Sequence, residues 1–279
     1  MSKSISASPI VKAEHELKTV SVQVSDRRDA DAYLQGKEIN VSTATNSLVL
    51  NTLSKLFRID YVGVNRTLIL MEEDNPICAT TKLKTPQRQK KYIFSKAINL
   101  FLGRLLYQHQ DDKPLPQSLL DEEGKITRLA DVFSMFPNKY LVLGRAAVYG
   151  PEIDKQIAEL LPQNILYREG ADFDQIPIIF DRRRNDFLLG YPAQVFELLG
   201  KNFPIRSYKL AATAEYVVSH LMCTDTPETQ ALLQQVDNNL DTLYKNGQLL
   251  QAHLRWLPNS EQETFKQLFH SVFVQSAQH

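Results

Sequence analysis

The residues best suited to chemistry in this chain are Thr80, Thr81, Thr85 and Arg88. They lie in the run Ile77-Cys-Ala-Thr-Thr-Lys-Leu-Lys-Thr-Pro-Gln-Arg88, which leads on to Phe94-Ser95. Hydroxyls and spare backbone amides at a strand end, with a guanidinium beside them, suit a small anion. The planar fork of an arginine grips a carboxylate through two parallel hydrogen bonds. No nucleophile with a base lies in the segment, so it points to capture of a ligand rather than its conversion. The plain alternative is a strand, a turn and a surface arginine.

A second candidate is Leu143-Gly-Arg-Ala-Ala-Val-Tyr-Gly150, a strand end running into a helix with Pro151 in its first turn. Free amides at a helix N-terminus favour anions. The stretch lacks the glycine spacing of a dinucleotide site and the lysine of a phosphate loop. It therefore suggests a polar contact through Arg145, Tyr149 and backbone amides, or simply a tight connection. Tyr191, in Gly190-Tyr-Pro192, stands at a similar strand end and can stack on a ligand or donate one hydrogen bond.

Other chemistry is missing. The six histidines form no metal-spaced cluster, and the two cysteines, Cys78 and Cys223, lie in no C-x-x-C. They are a disulfide in an oxidising compartment or two buried thiols in a reducing one. No local hydrolase signature occurs. The expectation is a non-enzyme without metal or cofactor. Lys+Arg 32 against Asp+Glu 32 cancel, which removes the field of a nucleic-acid binder. No apolar run approaches the roughly 20 residues that span a bilayer.

These residues need a scaffold. Val20, Val22 and Val24 alternate as in a strand. A helix is expected over 47–57, a strand over 58–64, a helix over 65–73 and a strand over 77–83. Residues 108–116 read as a loop and 126–133 as a short helix. Strands follow at 140–143, 165–167 and 186–189, and helices after Pro151 and Pro192. Extended chain returns over 209–222. Thr226-Pro227 opens a long helix that Gly247 stops. Ser260 and Glu263 suggest a capping box for the last one. Alternating strands and helices indicate α/β architecture with a largely parallel sheet.

Three blocks together resemble a bacterial type II periplasmic solute-binding protein, of the branch that includes polar amino-acid binders. They are Thr80–Arg88 with Phe94-Ser95; Leu143–Gly150 with its helix; and Arg184-Asn-Asp186 with Gly190-Tyr-Pro192, followed by 216–225 and the helix to Gly247. The likeness covers roughly residues 40–255. It implies an α/β protein of two lobes joined by two hinge crossings, with the ligand between them. Lobe one would hold 1–100 and 212–279 and lobe two 101–211, with crossings near 98–102 and 207–212.

In that family the arginine of the first block clamps a ligand carboxylate, and Arg88 matches it. Thr80 and Thr81 match nearby hydroxyl and backbone contacts. Leu83 stands where relatives tend to carry another hydroxyl, and Gly190-Tyr191 has no acid for an α-amino group. Arg88 and Arg145 on the two walls then imply an anionic or neutral-polar solute, not a polyamine. The lobe assignment puts Cys78 and Cys223 on neighbouring strands and implies a disulfide.

The resemblance further implies a monomer in the periplasm, with its signal peptide removed, delivering solute to an ABC permease or a membrane sensor. The competing reading is a degenerate member that binds protein partners and no ligand.

Overall fold

A computed structural model describes residues 19–53, 56–144, 149–168, 179–182, 186–200, 203–211 and 213–275. Residues 1–18, Arg145, Arg184 and Asn185 lie outside them.

The first half opens with β1 (Val20–Val24), whose valines alternate with Ser21 and Gln23. Asp26 then caps α1 (Arg27–Leu34), its side chain accepting from the amides of Arg28 and Asp29. Next come α2 (Val41–Leu50), β2 (Phe57–Tyr61), α3 (Val64–Leu70) and β3 (Ile77–Lys82). The helix expected over 47–57 begins earlier, because Asn40 and Thr43 form a reciprocal cap at its start. It ends at Leu50, and the chain pairs as a strand from Phe57.

A short helix α4 (Pro86–Gln89) and β4 (Ile93–Phe94) lead to β5 (Asn99–Leu102). Beyond it lie β6 (Leu105–His109), α5 (Leu129–Met135), β7 (Leu141–Gly144), α6 (Pro151–Ala158) and β8 (Ile165–Arg168). They are followed by β9 (Phe187–Gly190), α7 (Pro192–Leu199), β10 (Ile205–Tyr208) and β11 (Tyr216–Cys223). Three α-helices follow, α8 (Pro227–Lys245), α9 (Gln248–Leu254) and α10 (Asn259–Phe269), the last leading into a π-helical turn at His270–Gln275.

The strands form two mixed sheets. The first has the order β2-β1-β3-β11-β4, with β5 also on β11; the second runs β10-β6-β9-β7-β8. Parallel pairs β1–β2, β1–β3, β7–β8 and β7–β9 carry the α/β crossovers. β11 runs antiparallel to β3, β4 and β5, and β6 antiparallel to β9 and β10. The sheets are thus less parallel than the alternating pattern suggests.

One face of the first sheet packs on α2, α8, α9 and α10 through Val20, Val22, Leu100, Leu221, Leu232, Val236, Leu240 and Phe265. Met71 covers Ile77, Ala79 and Met222 on the other. The second sheet is likewise covered on both faces, around Leu141, Leu143 and Phe187 on one side and Tyr107, Val142 and Leu188 on the other. Cys78 and Cys223 face each other across β3 and β11 and are joined by a disulfide.

Residues Tyr216–Ser219 pair with β5, and Gly103 donates its amide to the Glu215 carbonyl at 2.7 Å. β5 and the first half of β11 therefore form the two-stranded ribbon that joins the sheets. The return segment expected over 207–212 sits elsewhere: Ser207 and Tyr208 pair with β6 at the edge of the second sheet. Residues 108–109, read as loop, belong to β6, whose Gln108 and His109 are buried. Ser260 is not a cap: α10 starts at Asn259 after Pro258, and no side chain caps it. Among the described residues no helix is long and apolar enough to cross a membrane.

Candidate functional site

In open α/β sheets, ligands bind outside the carboxyl ends of the parallel strands. The three sequence blocks lie at such ends: Thr81–Arg88 at and beyond the end of β3, Tyr149 between β7 and α6, and Tyr191 between β9 and α7.

The β3 end is shaped by a bulge. His220 pairs with Lys82 and Met222 with Ala79, so Thr80 and Thr81 together oppose Leu221. Thr81 absorbs the extra residue at φ 56°, the one positive φ outside glycine among the described residues. A β-branched residue there is a true outlier, and such strain gathers at functional sites. Thr80 is buried, and the Thr81 hydroxyl lies 3.5 Å from Asn46 Nδ2 of α2. Asn46 Oδ1 is buried without a hydrogen-bond partner.

Thr85 caps α4, its hydroxyl accepting from the Arg88 amide at 3.3 Å. Arg88 turns back and donates from Nη1 to the Leu83 carbonyl at 2.9 Å. It is half-buried, and burial lowers its pKa. Lys82 lies close enough to feel it: burial first, then the Arg88 charge, bring the lysine down to about 8. Neither cation has a carboxylate partner among the described residues. The structure thus gathers Thr80, Thr81, Thr85 and Arg88 around one strand end and adds Lys82 and Asn46. The bulge is what brings Lys82 in, and register cannot be read from composition.

The second-sheet residues behave differently. Tyr149 is buried, and its hydroxyl accepts the Gly144 amide at 3.0 Å. The amides of Tyr149 and Gly150 donate to the Asp154 carboxylate at 3.0 and 3.2 Å. The anion seat expected at the start of α6 is therefore filled at these two amides by the helix's own acid. A short acidic side chain in the first turn does this in preference to an external anion.

Tyr191 packs against Phe101 of β5, ring centroids 5.6 Å apart. The two tyrosines are brought together by a residue that the sequence does not flag. Arg104 Cζ lies 4.2 Å from the Tyr191 ring centroid and 4.8 Å from that of Tyr149. Burial raises the pKa of both phenols, and the Arg104 charge opposes it. A guanidinium between two rings is held by both π faces. The one available signal was Arg104's place directly after the β5 crossing. Among the described residues no three His, Cys, Asp or Glu side chains gather to hold a metal.

No protein-family model and no curated protein matches the sequence. Solved structures do match, over nearly the whole chain. The probable amino-acid ABC transporter extracellular-binding protein ytmK of Bacillus subtilis is 15% identical with a TM-score of 0.57, covering 88% of this chain and 100% of that one. The arginine-, lysine-, histidine-binding protein ArtJ of Geobacillus stearothermophilus is 14% identical, TM-score 0.59, covering 89% and 100%. A structure from work on glutathione import through GshT and the cystine ABC importer TcyBC of Streptococcus mutans is 12% identical, TM-score 0.60, covering 88% and 100%. Two sheets joined by a two-stranded ribbon, with the candidate residues at their carboxyl edges, form the two-lobed type II periplasmic binding-protein fold, which neighbours such as the probable amino-acid ABC transporter extracellular-binding protein share.

Proposed function

We propose that this chain is an extracytoplasmic solute-binding protein that captures a small polar or anionic solute between its lobes without converting it. Lobe one comprises 1–100 and 212–279, and lobe two 101–211, with hinge motion carried by β5 and the start of β11. The captured solute is handed to an ABC permease or read by a membrane sensor, and the protein works as a monomer in the periplasm. Arg88 clamps the anionic group, and Thr80, Thr81 and Thr85 shape its seat.

One observation carries this reading. Arg88 and Lys82 stand together at the carboxyl end of β3, half-buried and without a carboxylate partner among the described residues. Two neighbouring cations cost desolvation and mutual repulsion, which an anion relieves. The fold of importer binding proteins supports the same use of the cleft.

A thermal-shift screen of small metabolites tests it. A one-site ligand at 100 times its Kd adds about 2.7 kcal/mol to stability, a readily seen shift. The second reading is a protein-interaction module without ligand. It is favoured by Leu83, an apolar side chain at a seat suited to a hydroxyl, whose carbonyl already takes one Arg88 donor. Silence across carboxylates, amino acids, sugars and polyamines would favour that reading.

A further inference from the structure

Tyr149, Tyr191 and Arg104 converge at one edge of the second sheet. β7 and β9 run parallel and end there, and Leu105, the first residue of β6, pairs with Gly190. Arg104 thus enters between two ring-bearing turns, with Phe101 behind Tyr191 completing a stack that reaches back to the ribbon.

Two ring faces that both lie within 5 Å of one guanidinium carbon are a seat for a cationic group. Here the chain fills the seat itself. A ligand cation entering it would have to displace Arg104 and then sit beside its charge. Yet the seat leaves one donor unsatisfied: Arg104 Nη1 is buried and has no hydrogen-bond partner. A buried donor on a charged group carries its full desolvation cost until an acceptor arrives, and the acceptor that satisfies it best is an anionic oxygen. The tyrosines do not supply one. The Tyr149 hydroxyl already takes the Gly144 amide, and both rings meet Arg104 by their faces.

We infer that Arg104 sets the ligand class of the cleft, blocking the Tyr149–Tyr191 seat to cationic groups and offering Nη1 to an oxygen of an anionic ligand. This rests on the solute-binding reading above. It makes Arg104 an anion donor of the second lobe, in addition to Arg88 of the first. The neutral rings hold its plane, so the guanidinium needs little further ordering when a ligand arrives.

Calorimetric titration of the intact, disulfide-bonded protein with succinate, citrate, L-glutamate and L-arginine tests it, on wild type and on R104Q and R104K. Wild type is expected to bind at least one of the three carboxylate ligands and to prefer it to L-arginine. R104Q should weaken that binding at least tenfold. R104K, which keeps the charge and loses the planar fork, should recover part of it and serves if R104Q folds poorly. Carboxylate binding within twofold of wild type in both variants overturns the inference and leaves the solute-binding reading standing. Preference of wild type for L-arginine over all three also overturns it. Failure of wild type to bind anything on a wide metabolite screen removes the solute-binding reading, and this inference with it.

Discussion

The Nε2 atom of His253, in α9, accepts the backbone amide of Leu100, in β5, at 3.0 Å. Its Nδ1 lies 2.7 Å from the Leu249 carbonyl and so carries the proton. The ring is fully buried, and burial brings its pKa down to about 4. The neutral imidazole thus satisfies the outer edge of a strand whose other edge is taken by β11.

Stability should follow that ring's titration. With a folded pKa of about 4 below the ordinary histidine value, the unfolded chain binds the extra proton between the two. Stability from this group is complete above about pH 6.5 and is lost as pH falls toward 4, on the order of 3 kcal/mol in all. Asp29 has the opposite sign: burial raises its carboxyl to about 6, so its contribution falls as pH rises through the range from ordinary carboxylate values to 6. Urea denaturation at pH 7 and pH 4.5 separates them when wild type is compared with H253Q. The variant should be less stable at pH 7, and without the His253 loss to oppose Asp29 its stability should rise toward pH 4.5, closing the gap to wild type. An unchanged slope would refute the assignment.

Arg88→Ala should weaken binding of an anionic solute by about 1.5–3 kcal/mol, the worth of a charge-assisted hydrogen bond. Folding should change little, because the bond it loses, to the Leu83 carbonyl, is in a partly solvated loop. Calorimetry with the tightest ligand of the metabolite screen is the measurement. Equal affinity in the variant would show that the strand end is not the anion seat.

Lys82 gives the same site a pH signature. Its pKa of about 8 means that its charge is lost as pH rises from 7 to 9, and anion affinity should drop over that interval. Lys82→Arg, which stays charged, should bind with no such drop. Lys82→Met should bind weakly at both ends. Titrations at pH 7.0 and 9.0 in one buffer of fixed ionic strength would decide it.

The disulfide makes a prediction of its own. The cysteines are 145 residues apart, and a loop of that size is worth about 5 kcal/mol in the chain-entropy model, an upper figure. Unfolded but unreduced protein should show no reactive thiol. Reduced protein should unfold at a markedly lower denaturant concentration. Two free thiols before reduction would exclude the bridge in solution.

Much of the scaffold could be read in advance, where a local pattern coincides with a buried face. The alternating valines of β1 and the Thr226-Pro227 start of α8 are such patterns. α1 escaped because its buried positions are only Ala30 and Ala32, too small to make an apolar stripe. β10 escaped because Arg206 breaks a run of four residues. Of the site, Arg88 and Thr85 were legible because a Thr-Pro turn fixes their local geometry. Lys82 and Asn46 depend on the bulge at Thr80–Thr81, and Arg104 on two turns distant in sequence. Those are tertiary facts with no local trace.

The bridge between Cys78 and Cys223 also encloses every strand of the second sheet, from Leu105 to Tyr208. The second lobe is therefore a pendant of a covalent ring. A protease that cuts once anywhere between the two cysteines opens the ring without releasing a piece. Nicked molecules would keep the mass of intact ones until a reductant separates the halves, so damage to this lobe is concealed from any assay run without one.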